Sequence, residues 1–245
     1  LHSMSMPRVS VIITSYHAKA KPYLDACVES VKNLSYPSSL LEVLIVAPGA
    51  YAPQYEGVHT IGPPEDSYGM PRGLNFGMQA STGELMLVLN DDVILTRHSL
   101  EPLVHMYVNS PTLGLLMPYG NDSNLNRYAL SCAVQGPYKI EAVESERLMN
   151  EESPYPPGAI MCDTLCLYAF LISRAAYEKI GPFDEGLIGQ DDTDYSWRSI
   201  QNGYANAINI GSLVFHAGGA SNTLTNDQRT ESMRRFNEKW SAHGR

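Results

Sequence analysis

The chain has 245 residues, 44% of them hydrophobic and 18% charged, and a formal net charge of −9. This is the balance of a globular protein with a well-filled core, long enough for one large domain or two small ones. The acidity argues against a nucleic-acid partner held through phosphate contacts and, more weakly, against broad docking on anionic lipid. No apolar run approaches the ~18 residues a membrane-spanning helix needs, and no secretory leader pattern opens the chain; Leu1 to Met4 read as the remnant of an expression tag. Cys162 and Cys166 are spaced to share a helix face, but neither Cys27 nor Cys132 supplies a second pair nearby. Small buried side chains in a reducing, cytoplasmic compartment are the plainer reading, ahead of a zinc site or a disulfide.

In chain order, Val9 to Ile13 is a short β-branched run that reads as a buried first strand, ended by Thr14-Ser15-Tyr16. Leu24, Cys27, Val28, Val31 and Leu34 then fall at helical spacing. Leu41 to Val46 is a second strand, broken by Pro48-Gly49; Met70 to Ala80 is a helix ended by Thr82-Gly83; Leu85 to Leu89 is a third strand. This alternation predicts a parallel sheet covered on both faces. Such sheets bind ligands beyond the carboxyl ends of their strands, so the loops at Thr14 to Tyr16, Ala47 to Ala50 and Asn90 to Asp92 should converge on one crevice.

The second half is less regular. Leu113 to Met117 reads as a strand. Gly120 to Gly158 is a weakly patterned insert with scattered apolar residues such as Tyr138 to Val143, the kind of segment that forms a lid or an acceptor site. Leu165 to Ile172 restores a strand pattern. Ser173 is placed to cap a helix from Arg174 to Ile180 that Gly181-Pro182 stops. A further helix runs from about Asp192 to Gln201, Val214-Phe215 closes the core, and Thr225 to Trp240 is helical. That last segment carries Arg234, Arg235, Lys239 and Trp240, which suit an ordinary packed helix first and peripheral contact with a membrane second.

Four features carry chemistry. Asn90-Asp91-Asp92 puts two adjacent carboxylates at the mouth of an apolar strand, where they repel unless a cation or donors compensate; a polar turn with Asp92 or Thr96 capping a helix is the alternative. Asp191-Asp192-Thr193-Asp194 opens a helix, which suits its positive end but also supplies a general base with neighbours to orient an acceptor. Arg198 lies in reach of that cluster. His216 follows an apolar strand and precedes Gly218-Gly219, a backbone that admits close approach of phosphates. Arg72, in the stretch Tyr68 to Gly77, is one of few cations in the first half and is placed to meet a phosphate or an acid.

In this order the features resemble glycosyltransferase family 2, of the GT-A fold, and most nearly its rhamnosyltransferase-like members. Val9 to Tyr16 resembles the opening strand and nucleotide loop. Gly83-Glu84 through Leu89-Asn90-Asp91-Asp92-Val93 resembles the G-E…L-N-D-D-V stretch. Ile180 to Glu185 resembles V-G-G-F-D-E, and Asp191 to Arg198 resembles E-D-x-D-L-x-x-R. His216 matches the histidine after the late strand, and the likeness runs over about residues 8 to 221. In place of the family's acidic V-D-D-G-S loop stands Val46-Ala47-Pro48-Gly49-Ala50, with no carboxylate. Cys166-Leu167-Tyr168 replaces a small residue common on the acceptor side.

The resemblance implies an α/β, GT-A type fold: a mostly parallel central sheet flanked by helices with a smaller acceptor-side β region. It implies one domain over 5–245, divided near 118 into a nucleotide-sugar half and an acceptor and base half. The expected activity is inverting, metal-dependent transfer of a hexosyl or deoxyhexosyl group from a UDP-, dTDP- or GDP-sugar to a carbohydrate or other hydroxyl, as in glycan synthesis. Asp192 would be the base, and Asp92 and His216 would hold Mn2+ or Mg2+. Thr14, Tyr16, Arg72, Asn75, Asn90 and Asp91 would bind the donor, with Asp191, Asp194 and Trp197 orienting groups on the acceptor side. A nucleotidyltransferase would want a Gly-rich basic signature near the first strand, where residues 14–22 offer only Lys19 and Lys21. A non-catalytic sugar- or nucleotide-binding module would suit the bare loop at 46–50, but not the retained Asp92, Asp192 and His216.

Overall fold

Strands such as Val9–Thr14 (β1) and Leu85–Asn90 (β4) have no polar face to turn to water, so they are stable only when covered on both sides. Each Ile or Leu buried there is worth about 1.5–3 kcal/mol. The computed structural model describes residues 6–16, 18–49, 51–63, 69–120, 145–153, 157–218 and 225–242. In it β1 pairs in parallel with Leu41–Val46 (β2) on one side and β4 on the other, and His59–Ile61 (β3) extends the edge beyond β2. Helix α1 (Lys21–Lys32) buries Leu24, Cys27, Val28 and Val31 as the spacing predicts, and α2 (Met70–Ala80) covers β1 and β2.

The remaining strands are β5 (Val93–Leu95), β6 (Leu113–Gly120), β7 (Ala159–Met161), β8 (Ala169–Ser173) and β9 (Ala205–His216). They continue one sheet in the order β3-β2-β1-β4-β8-β6-β9-β5, with β7 also on β9. Direction changes past β4: β8 runs antiparallel to both β4 and β6, β6 and β9 are parallel, and β5 and β7 run antiparallel to β9. Helices α3 (Leu100–Val108), α4 (Ser145–Met149), α5 (Arg174–Ile180), α6 (Asp191–Gln201) and α7 (Asn226–Ser241), with short 3-10 turns at Ala18–Ala20 and Ser38–Leu40, complete the described elements. The Ser173 hydroxyl accepts from the Ala176 N–H to start α5, Gly181 at φ 86° ends it, and Thr225 and Gln228 form a capping box on α7.

Two expectations are corrected. The strand expected over Leu165 to Ile172 begins only at Ala169. The Leu165 N–H is taken by Ser196 Oγ at 3.1 Å and the Tyr168 N–H by Cys166 O at 2.9 Å, which curls 165–168 out of the ladder. Val214-Phe215 is the tail of the twelve-residue β9, whose polar residues are buried and bonded: Asn206 Nδ2 to Ser196 O, Asn209 Nδ2 to Pro102 O and Ser212 Oγ to Ser99 O. Part of the insert is packed, with Leu148 and Met149 of α4 against Ala26 and Ile94; residues 121–144, with Tyr138 to Val143, lie outside the described residues, as do Cys132 and Leu1 to Met4. Cys27, Cys162 and Cys166 are free thiols. Among the described residues no helix is long and apolar enough to cross a membrane.

Gly77 shows how tightly α2 sits. A Cβ there would lie 2.5 Å from Ile12 Cγ2 and 2.7 Å from Val46 Cγ2. Gly77→Ala would add helix propensity worth about 1 kcal/mol, yet the overpacking should dominate and leave the protein about 1–3 kcal/mol less stable. Denaturant unfolding checks this; a gain in stability would show that the helix has room to move off the sheet.

Candidate active site

The register of the parallel half brings the expected loops to one level, because Thr14 pairs with Val46 on one side and with Asn90 on the other. Just past that line Ser15 Oγ donates to Asp91 Oδ2 at 2.6 Å. Asp91 is buried, and desolvation, with the neighbouring Asp92 charge adding to it against the Ser15 bond, raises its pKa to about 7. Tyr51, in the loop after β2, has its hydroxyl against Ser15 and near Asp91. An aromatic hydroxyl thus stands beside Ser15 and Asp91, just past the carboxylate-free residues 46–50. The Thr14 hydroxyl is buried without a hydrogen-bond partner among the described residues. Tyr16 donates its hydroxyl to Met70 O at 3.1 Å, across the same mouth.

Asp92 and His216 are far apart in sequence and meet through the short β5. Val93 pairs with His216 in the antiparallel β5–β9 ladder, and the Ala217 N–H donates to Asp92 O at 3.0 Å. His216 Nε2 then lies 3.1 Å from Asp92 Oδ1, with both side chains buried. Thr96, weighed as a helix cap, instead donates to Leu213 O, and α3 begins beyond it. The imidazole is stacked on Tyr168, centroids 4.4 Å apart and planes 12° from parallel. Tyr168 also accepts the Asn90 N–H at its carbonyl, 2.8 Å away, and a Cβ on Gly120 would fall 1.9 Å from its hydroxyl.

These groups suit a hard divalent ion. Mn2+ and Mg2+ take carboxylate oxygen and imidazole nitrogen, and adjacent ligands on an octahedral ion at bond lengths of about 2.0–2.1 Å stand about 3 Å apart. The Asp92–His216 separation matches that spacing. Among the described residues no group of three or more His, Cys, Asp or Glu that could hold a metal ion comes together.

Asp191 and Asp192 lie across from this pair at the start of α6. Asp191 Oδ1 accepts from the Gly189 N–H at 2.7 Å, and Gly189 adopts φ 84°. Asp192 accepts from the Leu167 N–H and the Cys166 thiol, and His216 is close enough to act on it electrostatically. Burial pushes both carboxyls above the ordinary range, Asp192 further because Asp191 stands beside it. Asp192 as a residue is only partly buried, unlike Asp91, Asp92 and Asp191. The curled segment 165–168 therefore contacts both halves of the site: Cys166 and Leu167 hold Asp192, and Tyr168 braces His216 and Asn90.

Other expected residues are engaged in the frame. Asp194 is bound by Arg198 Nε at 2.8 Å, Lys239 Nζ at 2.8 Å and Trp240 Nε1 at 3.0 Å. Trp197 donates to Thr164 Oγ1 and packs on Phe236 and Trp240. Asn75 grips the segment after α5, exchanging bonds with the Phe183 carbonyl and N–H and reaching Glu185, which also pairs with Arg72 at 3.1 Å. Ser15, Tyr51, Cys166 and Tyr168 were not singled out for roles. Ser15 sits inside the Thr14-Ser15-Tyr16 turn, and Cys166 and Tyr168 stand out in the sequence only as departures from the family pattern.

A sequence profile described as Glycosyl transferase family 2 matches residues 10–180. The chain belongs to that family. It is 24% identical over 252 residues to Polypeptide N-acetylgalactosaminyltransferase 4 of Caenorhabditis elegans, covering 92% of this chain and 42% of the relative. Among solved structures it resembles GalNAc-T7 with UDP, GalNAc and Mn2+ (TM-score 0.67, 14% identity, 96% of this chain and 48% of that one). It also resembles the mannosyltransferase PcManGT of Pyrobaculum calidifontis with GDP-Man and Mn2+ (0.59, 17%, 88% and 58%) and S. aureus TarS (0.57, 14%, 95% and 39%). These likenesses show the GT-A fold. The chain spans about four-tenths of the length of the curated relative it matches.

The Asp91 carboxyl gives a test of the site's electrostatics. Folded it titrates near 7, against an ordinary 3.8. Between those values the unfolded chain releases a proton that the folded chain keeps, so stability falls as pH rises through that window. Asp91→Asn keeps an acceptor for Ser15 and cannot ionise. At pH 8, without metal, it should be about 1–3 kcal/mol more stable than the parent, with the difference vanishing below pH 4. Equal pH profiles of thermal unfolding would refute the shift.

Proposed function

We propose that this chain is an inverting, metal-dependent glycosyltransferase that moves a sugar from a nucleoside-diphosphate donor to a hydroxyl acceptor. The observation that carries it is the meeting, past the carboxyl ends of the parallel strands, of a buried Asp92–His216 pair with Asp192, which lies close enough to His216 to feel its charge. Two structural neighbours hold Mn2+ together with UDP or GDP-Man, which supports the same donor chemistry.

Asp92 and His216 would hold Mn2+ or Mg2+. When bound, the ion neutralises charge on the departing diphosphate. Asp91, steadied by Ser15, and Asn90 face the ribose and donor sugar; Thr14, Tyr16 and Tyr51 line the nucleotide side. Asp192 takes the proton of the acceptor hydroxyl while that oxygen bonds to the anomeric carbon and the bond to the diphosphate breaks. Direct displacement with one base inverts the anomeric centre. Burial and Asp191 make the ionised Asp192 a stronger base than an exposed carboxylate, which favours proton transfer. Hexosyl or deoxyhexosyl donors on UDP, dTDP or GDP fit this scheme, with a carbohydrate as the first acceptor class to try.

Release of nucleoside diphosphate from a panel of such donors, with simple sugars as acceptors, tests the scheme. Asp192→Asn should lose about 10²–10⁴-fold in turnover while calorimetry still shows the Mn2+–nucleoside diphosphate complex binding. Undiminished turnover would remove Asp192 from the base role. Chelation by EDTA should stop the parent enzyme, and added Mn2+ or Mg2+ should restore it; activity that persists in EDTA would overturn metal dependence.

A further inference from the structure

We propose that α7 is part of the catalytic apparatus: Lys239 and Trp240 are positioning residues that fix the first turn of α6, and with it Asp192, through Asp194. The inference rests on the assignment of Asp192 as the base.

Asp192 and Asp194 share the first turn of α6, but they face different surroundings. Asp194 is 1% exposed and receives two cations and an indole N–H. Lys239 Nζ also binds Asp184 Oδ2 at 2.8 Å, so one ammonium ties both ends of the segment 184–194 that leads into the base. Within that segment Leu187 packs on Phe236 and Trp240, and the Trp197 ring meets Trp240 edge-on with centroids 5.0 Å apart. These side chains form a cluster of their own, separate from the core around the sheet. What α7 orders is therefore this segment and the start of α6. The other wall of the segment is held by Asn75 through Phe183 and Glu185.

The energetic logic follows from reach. A catalytic carboxylate displaced by about 1 Å can lose about 10²-fold in rate. Among the described residues Asp192 accepts from the Leu167 N–H and the Cys166 thiol, and these donors sit on the 165–168 segment rather than on the helix that carries it. A buried, triply bound carboxylate two residues along does. Arg198 stays on Asp194 when Lys239 is removed, so the helix keeps one ionic partner and the fold has reason to survive.

The test is steady-state kinetics on Lys239→Met and Trp240→Phe in the full chain, with Mn2+ and the donor that the parent turns over. The second variant keeps an aromatic ring in the cluster while deleting the N–H donor and part of the indole's volume, so it carries the test should the first fail to fold. Turnover per folded molecule should fall about ten- to a hundredfold, while donor KM and the Kd of the Mn2+–nucleoside diphosphate complex stay within about twofold. Arg234→Ala, on the exposed face of the same helix, should turn over like the parent. A merely structural role would lower Tm but leave kcat unchanged, and that result, with Asp192→Asn inactive, overturns the inference. A fully active Asp192→Asn would instead overturn the base assignment and this inference with it.

Discussion

Crowding of buried carboxylates is the constraint on which the rest of this molecule turns. Asp91, Asp92, Asp191 and Asp192 stand around one crevice, the first three almost fully buried. Two like charges about 4 Å apart at an effective dielectric of 20 cost about 4 kcal/mol, and a whole domain is stable by only about 5–15 kcal/mol. Holding all four ionised without a cation would take a large part of that margin. The raised pKa values of Asp91, Asp191 and Asp192 show one relief, which is to keep protons. A divalent cation would offer another, which is why the proposed chemistry and the folding energetics point to the same place.

The mixed half of the sheet brings the partners in. A purely parallel sheet would carry the loops of β1, β2 and β4 to the edge and nothing opposite them. The antiparallel return of β8 sets Tyr168 against Asn90, and the β5–β9 pair sets His216 beside Asp92. Tyr168 links the two, since it bonds one and stacks on the other. Gly120 leaves room for its hydroxyl at the end of β6. The segment 165–168 can reach Asp192 only because it leaves the ladder before β8 begins.

What was legible in the sequence followed the strength of local signals. β2, α2 and α5 match their expected bounds because Leu41 to Val46 is apolar apart from Glu42, and because Pro71, Ser173 and Gly181 punctuate the helices. β3, β5 and β7 are three residues each, too short for any period to register. β9 was hidden by Asn206, Asn209, Gly211 and Ser212, whose polarity reads as a loop until their buried hydrogen bonds are seen. At the site, the Asp, Asn and His residues were visible as motifs. Tyr168 and Cys166 were not assigned roles, because stacking on an imidazole and donation to a distant carboxylate are long-range facts with no local pattern.

The acidic run at α6 shows why a motif alone does not assign roles. Placed at a helix N-terminus, all three aspartates gain from the dipole, but that gain is typically about 0.3–1 kcal/mol. Losing water costs a buried carboxylate several times as much unless it is paired. Asp194 meets that cost with Arg198, Lys239 and Trp240 and becomes a brace. Asp191 has the Gly189 N–H and Asp192 has one N–H and a thiol, so both keep raised proton affinities. Only Asp192 of the three is half-buried rather than enclosed. Weaker pairing separates a carboxylate able to accept a proton from one that only holds a helix in place.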